Sequence, residues 1–512
     1  MKKDTKKLIV EIIIFIIMIL IALHLRGYQL SEIPKGIHVD EAGMAYDAYS
    51  LANFGVDRYL NYLPVYLINF GGGQSALYAY LAAIFVNFLG ITTTAIRIPA
   101  VVCNMIAIIA VYFMGRKHFG RKCAIVLTSL WIINPWNIMA SRWGLDCNLL
   151  ASTSIISLWL LLRAEKWYDY IFAGMSIGIT LYTYAISYLI LPIFLCLIIS
   201  YMLYTRKITL KNVIIMGIPI FILAIPLMLM ILVNNGIIEE INSFITIPKL
   251  SYYRAAEISF KNILNNIFKI KVLFSADGLP YNSIGKYGTV YYFCIPLIIL
   301  GIGIEFVKLI QNIKNRKFEA NSGITLFFIS VAITIFLIVD PNINKANALY
   351  FPLVFLAFSS IKFLYEKANR KVFFVCFAII IIAYAISFIS FVNYYFNIYN
   401  VEYKYQPYFE DDLTNSIAIV NGKEEFKNRK VNILTKSLNP YIYTLLVNQP
   451  SPYDFDSTRN AKDEWGKYIF NSQEINEEIV YIIKDYPDFA NNLITNHDFN
   501  SEYVGTYVIL YK

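Results

Sequence analysis

The stretch Leu8–Leu25, LIVEIIIFIIMILIALHL, decides the class of fold for this chain of 512 residues. It is long enough to cross a bilayer as one helix, and the basic segment Met1–Lys7 precedes it. A signal peptide also begins in this way, but no small-residue cleavage site follows, so we interpret the stretch as a retained first helix. Similar apolar runs alternate with short charged connectors along the chain. The sequence therefore predicts a polytopic α-helical membrane protein.

The composition supports this class and argues against others. Hydrophobic residues make up 58% of the chain and charged residues only 15%, whereas soluble domains carry about 25% charged residues. The net charge of +9 lies mostly in short connectors, and no nucleic-acid motif accompanies it, so no nucleic-acid partner is expected. Six cysteines occur without a CxxC pair, which predicts neither a disulfide framework nor a cysteine metal site.

The connectors rich in Lys and Arg predict the topology, because such connectors face the cytoplasm. These connectors are Met1–Lys7, Gly115–Lys122, Arg163–Lys166, Thr205–Lys211, Lys308–Phe318 and Tyr365–Lys371. Placing all six inside predicts a cytoplasmic N-terminus and about eleven spans in the cell membrane. The predicted spans are roughly 8–25, 98–114, 124–140, 149–162, 171–188, 189–204, 212–233, 289–307, 322–339, 348–364 and 372–391.

One apolar run, Ala76–Leu89, is too short for an ordinary span. If it crossed the membrane, the basic connector Gly115–Lys122 would lie outside, against the positive-inside rule. We therefore expect this run in the first external loop, lying on or dipping into the membrane.

The sequence changes character after the last span, which divides the chain into a transmembrane domain, 1–392, and an extracytoplasmic domain, 393–512. The tail is charged and contains short runs typical of strands and of helices or turns, so we expect a small α/β domain. It carries no glycine-rich phosphate loop and no nucleophile motif, which favours a binding or structural role. The expected strands are Ser416–Val420, Val431–Leu434, Ile479–Ile483 and Tyr503–Tyr511, and the expected helical or turn segments are Tyr441–Val447 and Asp463–Phe470.

The first candidate for chemistry is the adjacent pair Asp40 and Glu41, about a dozen residues beyond the first helix. Two carboxylates beside a membrane surface lose solvation energy unless they bind a cation or handle a proton. The alternative is a helix start in which Asp40 is the N-cap and Glu41 favours the positive helix end. The two roles are compatible.

A second external cluster, Ser141–Asn148, contains Arg142 and Asp146. An ordinary interfacial loop with an ion pair explains it equally well. Further cations expected on this face are Arg58, Arg97, Arg254 and Lys345. Such side chains either reach toward lipid headgroups or bind a phosphate. The run Gly71–Gly73 permits close approach to a ligand, although a flexible turn accounts for it as well.

The order of these features resembles the GT-C glycosyltransferases over roughly residues 8–365, most closely the protein O-mannosyltransferase and aminoarabinose-transferase type. Four stretches carry the resemblance. They are HVDEAGMAYDAYSL (38–51), SRWGLDCNLL (141–150), DGLPYNSIGKYG (277–288) and NINKANALYFP (342–352).

The resemblance implies an inverting hexosyl- or pentosyltransferase that uses a polyprenyl-phosphate sugar on the outer face of the membrane. It implies that Asp40 is the general base, that Glu41 orients it, and that Asp146 positions substrate or helps to bind a divalent ion. Arg97, Arg142 or Lys345 would stabilise the departing lipid phosphate, although related sequences tend to have Arg at the position of Lys345. Some branches need Mg²⁺ or Mn²⁺ and others do not, so the resemblance leaves the metal open.

Other classes of function compete with the transferase. A transporter or flippase for a lipid-linked sugar usually shows internal repeats and ionisable residues at mid-membrane depth, whereas the polar clusters here gather on one face. A membrane protein of polysaccharide assembly is a third class. The acceptor, a glycan, a lipid or a protein, and the identity of the sugar are not readable from the sequence.

Overall fold

The computed structural model describes residues 3–251, 253, 258–402, 408–455 and 463–512. Its helices are α1 (Lys3–Gly27), α2 (Val39–Phe54), α3 (Leu77–Leu89), α4 (Thr93–His118), α5 (Arg121–Ile132), α6 (Pro135–Ala140), α7 (Cys147–Arg163), α8 (Trp167–Thr180), α9 (Ser187–Tyr204), α10 (Leu210–Asn234), α11 (Asn262–Phe274), α12 (Ile295–Lys314), α13 (Ala320–Leu337), α14 (Tyr350–Lys367), α15 (Arg370–Asn397), α16 (Tyr399–Glu402), α17 (Asp411–Gly422), α18 (Tyr441–Asn448) and α19 (Pro487–His497). Its strands are β1 (Tyr66–Asn69), β2 (Gly72–Ser75), β3 (Ile241–Asn242), β4 (Thr246–Ile247), β5 (Val431–Leu434), β6 (Glu464–Trp465), β7 (Tyr468–Phe470), β8 (Val480–Ile483), β9 (Asn500–Val504) and β10 (Tyr507–Tyr511).

Eight helices among the described residues are long and apolar enough to cross a membrane, and each matches a predicted span. They are α1, α4, α9, α10, α12, α13, α14 and α15. The other three predicted spans are also helical, but their helices are shorter. The predicted span 124–140 is divided between α5 and α6, because Asn134 caps a new helix that begins at Pro135. The chain is thus a multi-pass membrane protein with the predicted mostly helical fold.

The chain divides into two compact units, and neither is continuous in sequence. The first unit comprises Met1–Tyr28, Pro99–Ile231 and Tyr253–Ile398, and it contains most of the membrane helices. The second unit comprises Gln29–Ile98, Leu232–Tyr252 and Tyr399–Lys512. The predicted boundary at residue 392 lies inside α15, and the tail shares its compact unit with the loop that follows α1.

Small residues bring helices of the first unit into close contact. A Cβ atom added at Gly301 of α12 would lie 2.0 Å from the carbonyl oxygen of Leu356 in α14. One added at Gly174 of α8 would lie 2.3 Å from the carbonyl oxygen of Met216 in α10. Glycine is therefore required at both positions, as is common where membrane helices pack backbone to backbone.

The tail forms the predicted small α/β domain around a mixed sheet of six strands in the order β6–β7–β5–β8–β10–β9. Strands β7, β5 and β8 are parallel, and the outer pairs are antiparallel. β5 is buried along its whole length, as expected for a central strand with neighbours on both sides. The sequence predicted β5, β8 and α18 at or within one residue of their observed bounds.

Three details of the predicted tail differ from the structure. Ser416–Val420 is not a strand but part of α17, whose buried Leu413, Ile417 and Val420 recur at helical spacing. Asp463–Phe470 is a hairpin of β6 and β7, with Gly466 at positive φ between the strands. Tyr503–Tyr511 is not one strand, because Gly505 turns the chain between β9 and β10.

Candidate active site

Helix α2, which carries Asp40 and Glu41, begins with a reciprocal capping arrangement. His38 is the N-cap, and its Nδ1 accepts the backbone N–H of Asp40 (3.2 Å). In return, the backbone N–H of His38 donates to Glu41 Oε2 (3.3 Å). The alternative in which Asp40 is the N-cap is therefore wrong. The cap leaves the side chain of Asp40 available for another role.

Glu41 is fully buried and forms an ion pair with Arg97. Arg97 Nε donates to Glu41 Oε1 (2.9 Å) and Nη2 donates to Oε2 (3.2 Å). The remaining N–H groups of Arg97 donate to three backbone carbonyls, those of Leu30 and Pro34 from Nη1 and that of Gly36 from Nη2. All five guanidinium donors are thus used within the loop. This pair therefore holds α2 against the loop that precedes it.

Asp40 receives a hydrogen bond from the hairpin of β1 and β2. Asn69 Nδ2 donates to Asp40 Oδ1 (3.0 Å), and Asn69 Oδ1 accepts from Arg58 Nη2 (2.6 Å). Arg58 is fully buried and pairs with Asp47, which is also buried (Nη2 to Oδ2, 3.2 Å). A continuous polar chain therefore runs from Asp47 through Arg58 and Asn69 to Asp40. The amide of Asn69 can serve both neighbours only in the orientation that aims its NH₂ group at the carboxylate.

Gly43 allows this polar chain to lie against α2. A Cβ atom at this position would be 2.8 Å from Asn69 Oδ1 and 2.9 Å from Arg58 Nη2. Neither Gly43 nor Asn69 was among the residues predicted from the sequence. Gly71, which was noted for close approach to a ligand, lies instead at the tip of the hairpin at φ +89°. The flexible-turn alternative therefore explains that glycine.

Asp40 is the accessible carboxylate of α2. Its side chain is 37% exposed, whereas Glu41 and Asp47 are fully buried. Burial raises the pKa of Asp47 to about 7, and the adjacent Arg58 opposes this rise. Burial also lowers the pKa of His38, which fits the acceptor role of its Nδ1. The exposed carboxylate of Asp40 is thus supported by a buried network of polar side chains.

In the first unit, the other three stretches that carry the resemblance lie together. The ring of Trp143 is 5.1 Å from that of Tyr281, which joins segments 141–150 and 277–288. Asp277 Oδ2 accepts the backbone N–H of Ile343 (3.3 Å), which brings in segment 342–352. Asn347 Nδ2 donates to the carbonyl of Cys147 (2.8 Å), which joins segment 342–352 to segment 141–150. The resemblance pointed to these three stretches, but the contacts made by Asp277 and Asn347 were not predicted from the sequence.

The predicted residues of the first unit have different environments. Asp146 is buried, and its carboxylate accepts the backbone N–H of Cys147 at the start of α7 (2.8 Å), where the helix dipole favours negative charge. Arg142 is fully buried and donates to the carbonyls of Leu25 (2.9 Å) and Tyr28 (2.7 Å) at the end of α1. This arrangement anchors α1, so we assign Arg142 to support. Lys345 is half-buried, and its Nζ donates to the carbonyl of Val339 (2.8 Å).

One candidate residue and the open question of a metal remain. Arg254 lies outside the described residues. The described part of the chain contains no group of three or more His, Cys, Asp or Glu side chains that could hold a metal ion. Asp146, for which the resemblance implies either substrate positioning or help in binding a divalent ion, accepts a backbone N–H at the start of α7.

Comparison with known proteins relates part of the sequence to a family. Residues 74–231 match the family described as dolichyl-phosphate-mannose-protein mannosyltransferase. The matched segment begins in β2 and ends in α10, so it covers the helices on both sides of Asp146. The search of curated proteins found no match.

Comparison with solved structures found similar folds that cover almost the whole chain. The crystal structure of ArnT from Cupriavidus metallidurans in the apo state matches with a TM-score of 0.56 at 10% identity, covering 99% of this chain and 98% of that chain. The same protein bound to undecaprenyl phosphate matches with a TM-score of 0.53 at 12% identity and the same coverage. The expected resemblance is thus confirmed at the level of the fold: the chain has the membrane fold of ArnT, and residues 74–231 match the protein mannosyltransferase family.

Proposed function

We propose that this chain is an inverting glycosyltransferase that moves a sugar from a polyprenyl phosphate to an acceptor hydroxyl at the outer face of the membrane. The family matched by residues 74–231 is named for dolichyl-phosphate mannose, and the fold is that of an ArnT crystallised with undecaprenyl phosphate. Both names point to a sugar donor carried on a lipid phosphate. The observation that carries the proposal is the accessible carboxylate of Asp40. It accepts a hydrogen bond from Asn69, which is in turn bonded to the buried ion pair of Arg58.

Asp40 is the proposed general base. As the acceptor oxygen attacks the anomeric carbon, its proton passes to the carboxylate, and the bond between that carbon and the phosphate oxygen breaks. The electron pair of that bond leaves with the lipid phosphate. A positioned base of this kind contributes about 10²- to 10⁴-fold to the rate. Asn69 and Arg58 are positioning residues, because they fix the carboxylate and do not touch the sugar in this mechanism.

Lys345 is the proposed partner of the departing phosphate. It is half-buried within the cluster of segments 141–150, 277–288 and 342–352, and a cation stabilises the charge that develops on the leaving group. Arg97 and Arg142 are less suitable, because both are fully buried, whereas Lys345 is half-buried. Asp146, held at the start of α7, is proposed to position substrate.

The distribution of charge supports the proposed sidedness. The basic connectors at the ends of α4, α7, α9, α12 and α14 all lie on the side opposite to Asp40 if the positive-inside rule holds. The N-terminus is then cytoplasmic, and Asp40 and the tail are extracytoplasmic.

The test is transfer of radiolabelled sugar from a panel of polyprenyl-phosphate sugars in membranes, with wild type beside Asp40→Asn. We expect one donor to be turned over by the wild type and a loss of at least about 10²-fold in Asp40→Asn. Glu32→Gln is the matched control, since it removes another exposed carboxylate from the same loop. Equal activity of Asp40→Asn and wild type would exclude Asp40 as the base. No turnover of any donor, even with acceptor extracts and added divalent cations, would favour a transporter or flippase.

A further inference from the structure

A basic cavity lies in the first unit, among the ends of four helices. Its volume is about 520 Å³, and it is formed at the ends of α4 and α7 and the beginnings of α5 and α8. Five cationic side chains and two carboxylates line the cavity. The cations are Arg116, Lys117, Arg121, Arg163 and Lys166. The positive-inside rule accounts for basic residues in these connectors but does not require that they surround one cavity.

Three of the five cations are partly neutralised by ion pairs. Arg116 Nε is 2.6 Å from Glu11 Oε1, and Arg121 Nε is 3.0 Å from Glu11 Oε2. Lys117 Nζ is 2.7 Å from Glu165 Oε1. These pairs hold the wall of the cavity in place, since Glu11 belongs to α1 and is almost fully buried.

The other two cations, Arg163 and Lys166, make no ion pair within the described residues. The guanidinium of Arg163 lies 4.6 Å from the ring centre of Trp159, which orients it. Its Nε is buried and meets no hydrogen-bond acceptor in the described part of the chain. Asp169 also lines the cavity and attracts both cations, but it lies beyond ion-pair distance of either one.

We propose that this cavity binds the phosphate of an anionic membrane lipid at the cytoplasmic surface. The oxyanion of a phosphate ester matches the guanidinium of Arg163 and the ammonium of Lys166. The aromatic residues on α8 beside the cavity support a lipid source over free phosphate. Trp167, Tyr168 and Phe172 are 62%, 39% and 53% exposed, as is typical of rings at the level of lipid headgroups. This binding is separate from sugar transfer and does not depend on Asp40.

The test uses the full chain purified in neutral detergent, with retention of added phosphatidylglycerol or phosphatidylcholine of the same acyl chains measured by native mass spectrometry. We expect the wild type to retain phosphatidylglycerol in preference to phosphatidylcholine. Arg163→Gln/Lys166→Gln should bind phosphatidylglycerol about thirtyfold more weakly, since each cation near a membrane surface contributes about fivefold. Arg163→Lys/Lys166→Arg, which keeps both charges, should retain the lipid.

The matched control is Lys314→Gln/Arg316→Gln, which removes one Lys and one Arg from another basic connector with exposed side chains. It should bind phosphatidylglycerol as the wild type does. If the first double variant fails to fold, as judged by its elution volume and melting temperature, Lys166→Gln alone should weaken binding about fivefold. Unchanged binding in the variant, or equal retention of the two lipids, would overturn the proposal. Binding of inorganic phosphate without retention of phosphatidylglycerol would overturn its lipid source.

Discussion

A methyl group added at Gly43 should slow sugar transfer without unfolding the protein. In Gly43→Ala, the new Cβ would lie 2.8 Å from Asn69 Oδ1, whereas ordinary contacts begin at 3.4 Å, so the amide must retreat by about 0.6 Å. The atoms that must move are the ends of the side chains of Asn69 and Arg58, not backbone. Alanine is also a better helix former than glycine by about 1 kcal/mol. The substitution should therefore leave α2 folded and displace the support of Asp40.

The magnitude follows from the hydrogen bond between Asn69 and Asp40, which is 3.0 Å long. A hydrogen bond to a charged group contributes about 1.5–3 kcal/mol, which corresponds to a fall in kcat of about tenfold to 150-fold if the bond holds the base in the transition state. KM for the donor should not change, because Asn69 is a positioning residue. Initial rates at saturating polyprenyl-phosphate sugar measure both constants.

A double-mutant cycle tests whether the effect of Gly43 passes through Asn69. Asn69→Ala should lower kcat by a similar factor, and the double variant should be no slower than either single variant. Gly217→Ala is the control, because it adds the same methyl to a helical glycine of α10 that has nothing within 4 Å of the new atom. Wild-type kcat in Gly43→Ala, or losses that multiply in the double variant, would refute the reasoning.

Three further predictions concern pH, the phosphate and topology. Because the pKa of Asp47 is about 7 in the folded protein and 3.8 ordinarily, its protonated form stabilises the fold at low pH, and this contribution is lost as the pH rises from about 4 to 7. Between pH 5 and pH 8, the melting temperature of purified Asp47→Asn should therefore fall less than that of the wild type. Parallel curves of melting temperature against pH would contradict this. Lys345→Ala should weaken donor binding more than Lys345→Arg, measured by titration with polyprenyl phosphate, and equal affinities would remove Lys345 from the phosphate site. A cysteine at position 118, in a variant without the six native cysteines, should resist an impermeant thiol reagent in intact cells, whereas labelling would mean that α3 crosses the membrane.

Hydrophobic runs were sufficient to predict the eight long membrane helices, because a helix that crosses a bilayer needs about 20 apolar residues. The tail was harder to predict. Gly505 and Gly466 turn the chain within short apolar stretches, and a stretch of five residues such as Ser416–Val420 fits a strand or a helix equally well.

The sequence indicated only some residues of the candidate site. Asp40 was identifiable as a candidate base, because two adjacent carboxylates beside a membrane lose solvation energy unless they bind a cation or handle a proton. The roles of Arg97 and Arg142 were not, since an arginine at a helix end looks the same in sequence whether it binds backbone carbonyls or lipid phosphate. Gly43 and Asn69 are separated by 26 positions in the chain, and only the folded hairpin brings them together. The one available signal was a glycine in the interior of a predicted helix.

The contacts of α2 with the tail have a consequence for how the protein matures on the ribosome. The hydroxyl of Tyr46 donates to the carbonyl of Pro450 (2.9 Å), a partner that is translated 404 residues later. At about 5–20 residues per second, the helix that bears Asp40 waits about 20–80 s for that partner. The carbonyl of Ile37, just before α2, also waits for a partner in the tail, since it accepts the backbone N–H of Glu410 (3.1 Å). A nascent chain that is already inserted in the membrane therefore lacks these contacts between α2 and the tail until the last segment has been synthesised.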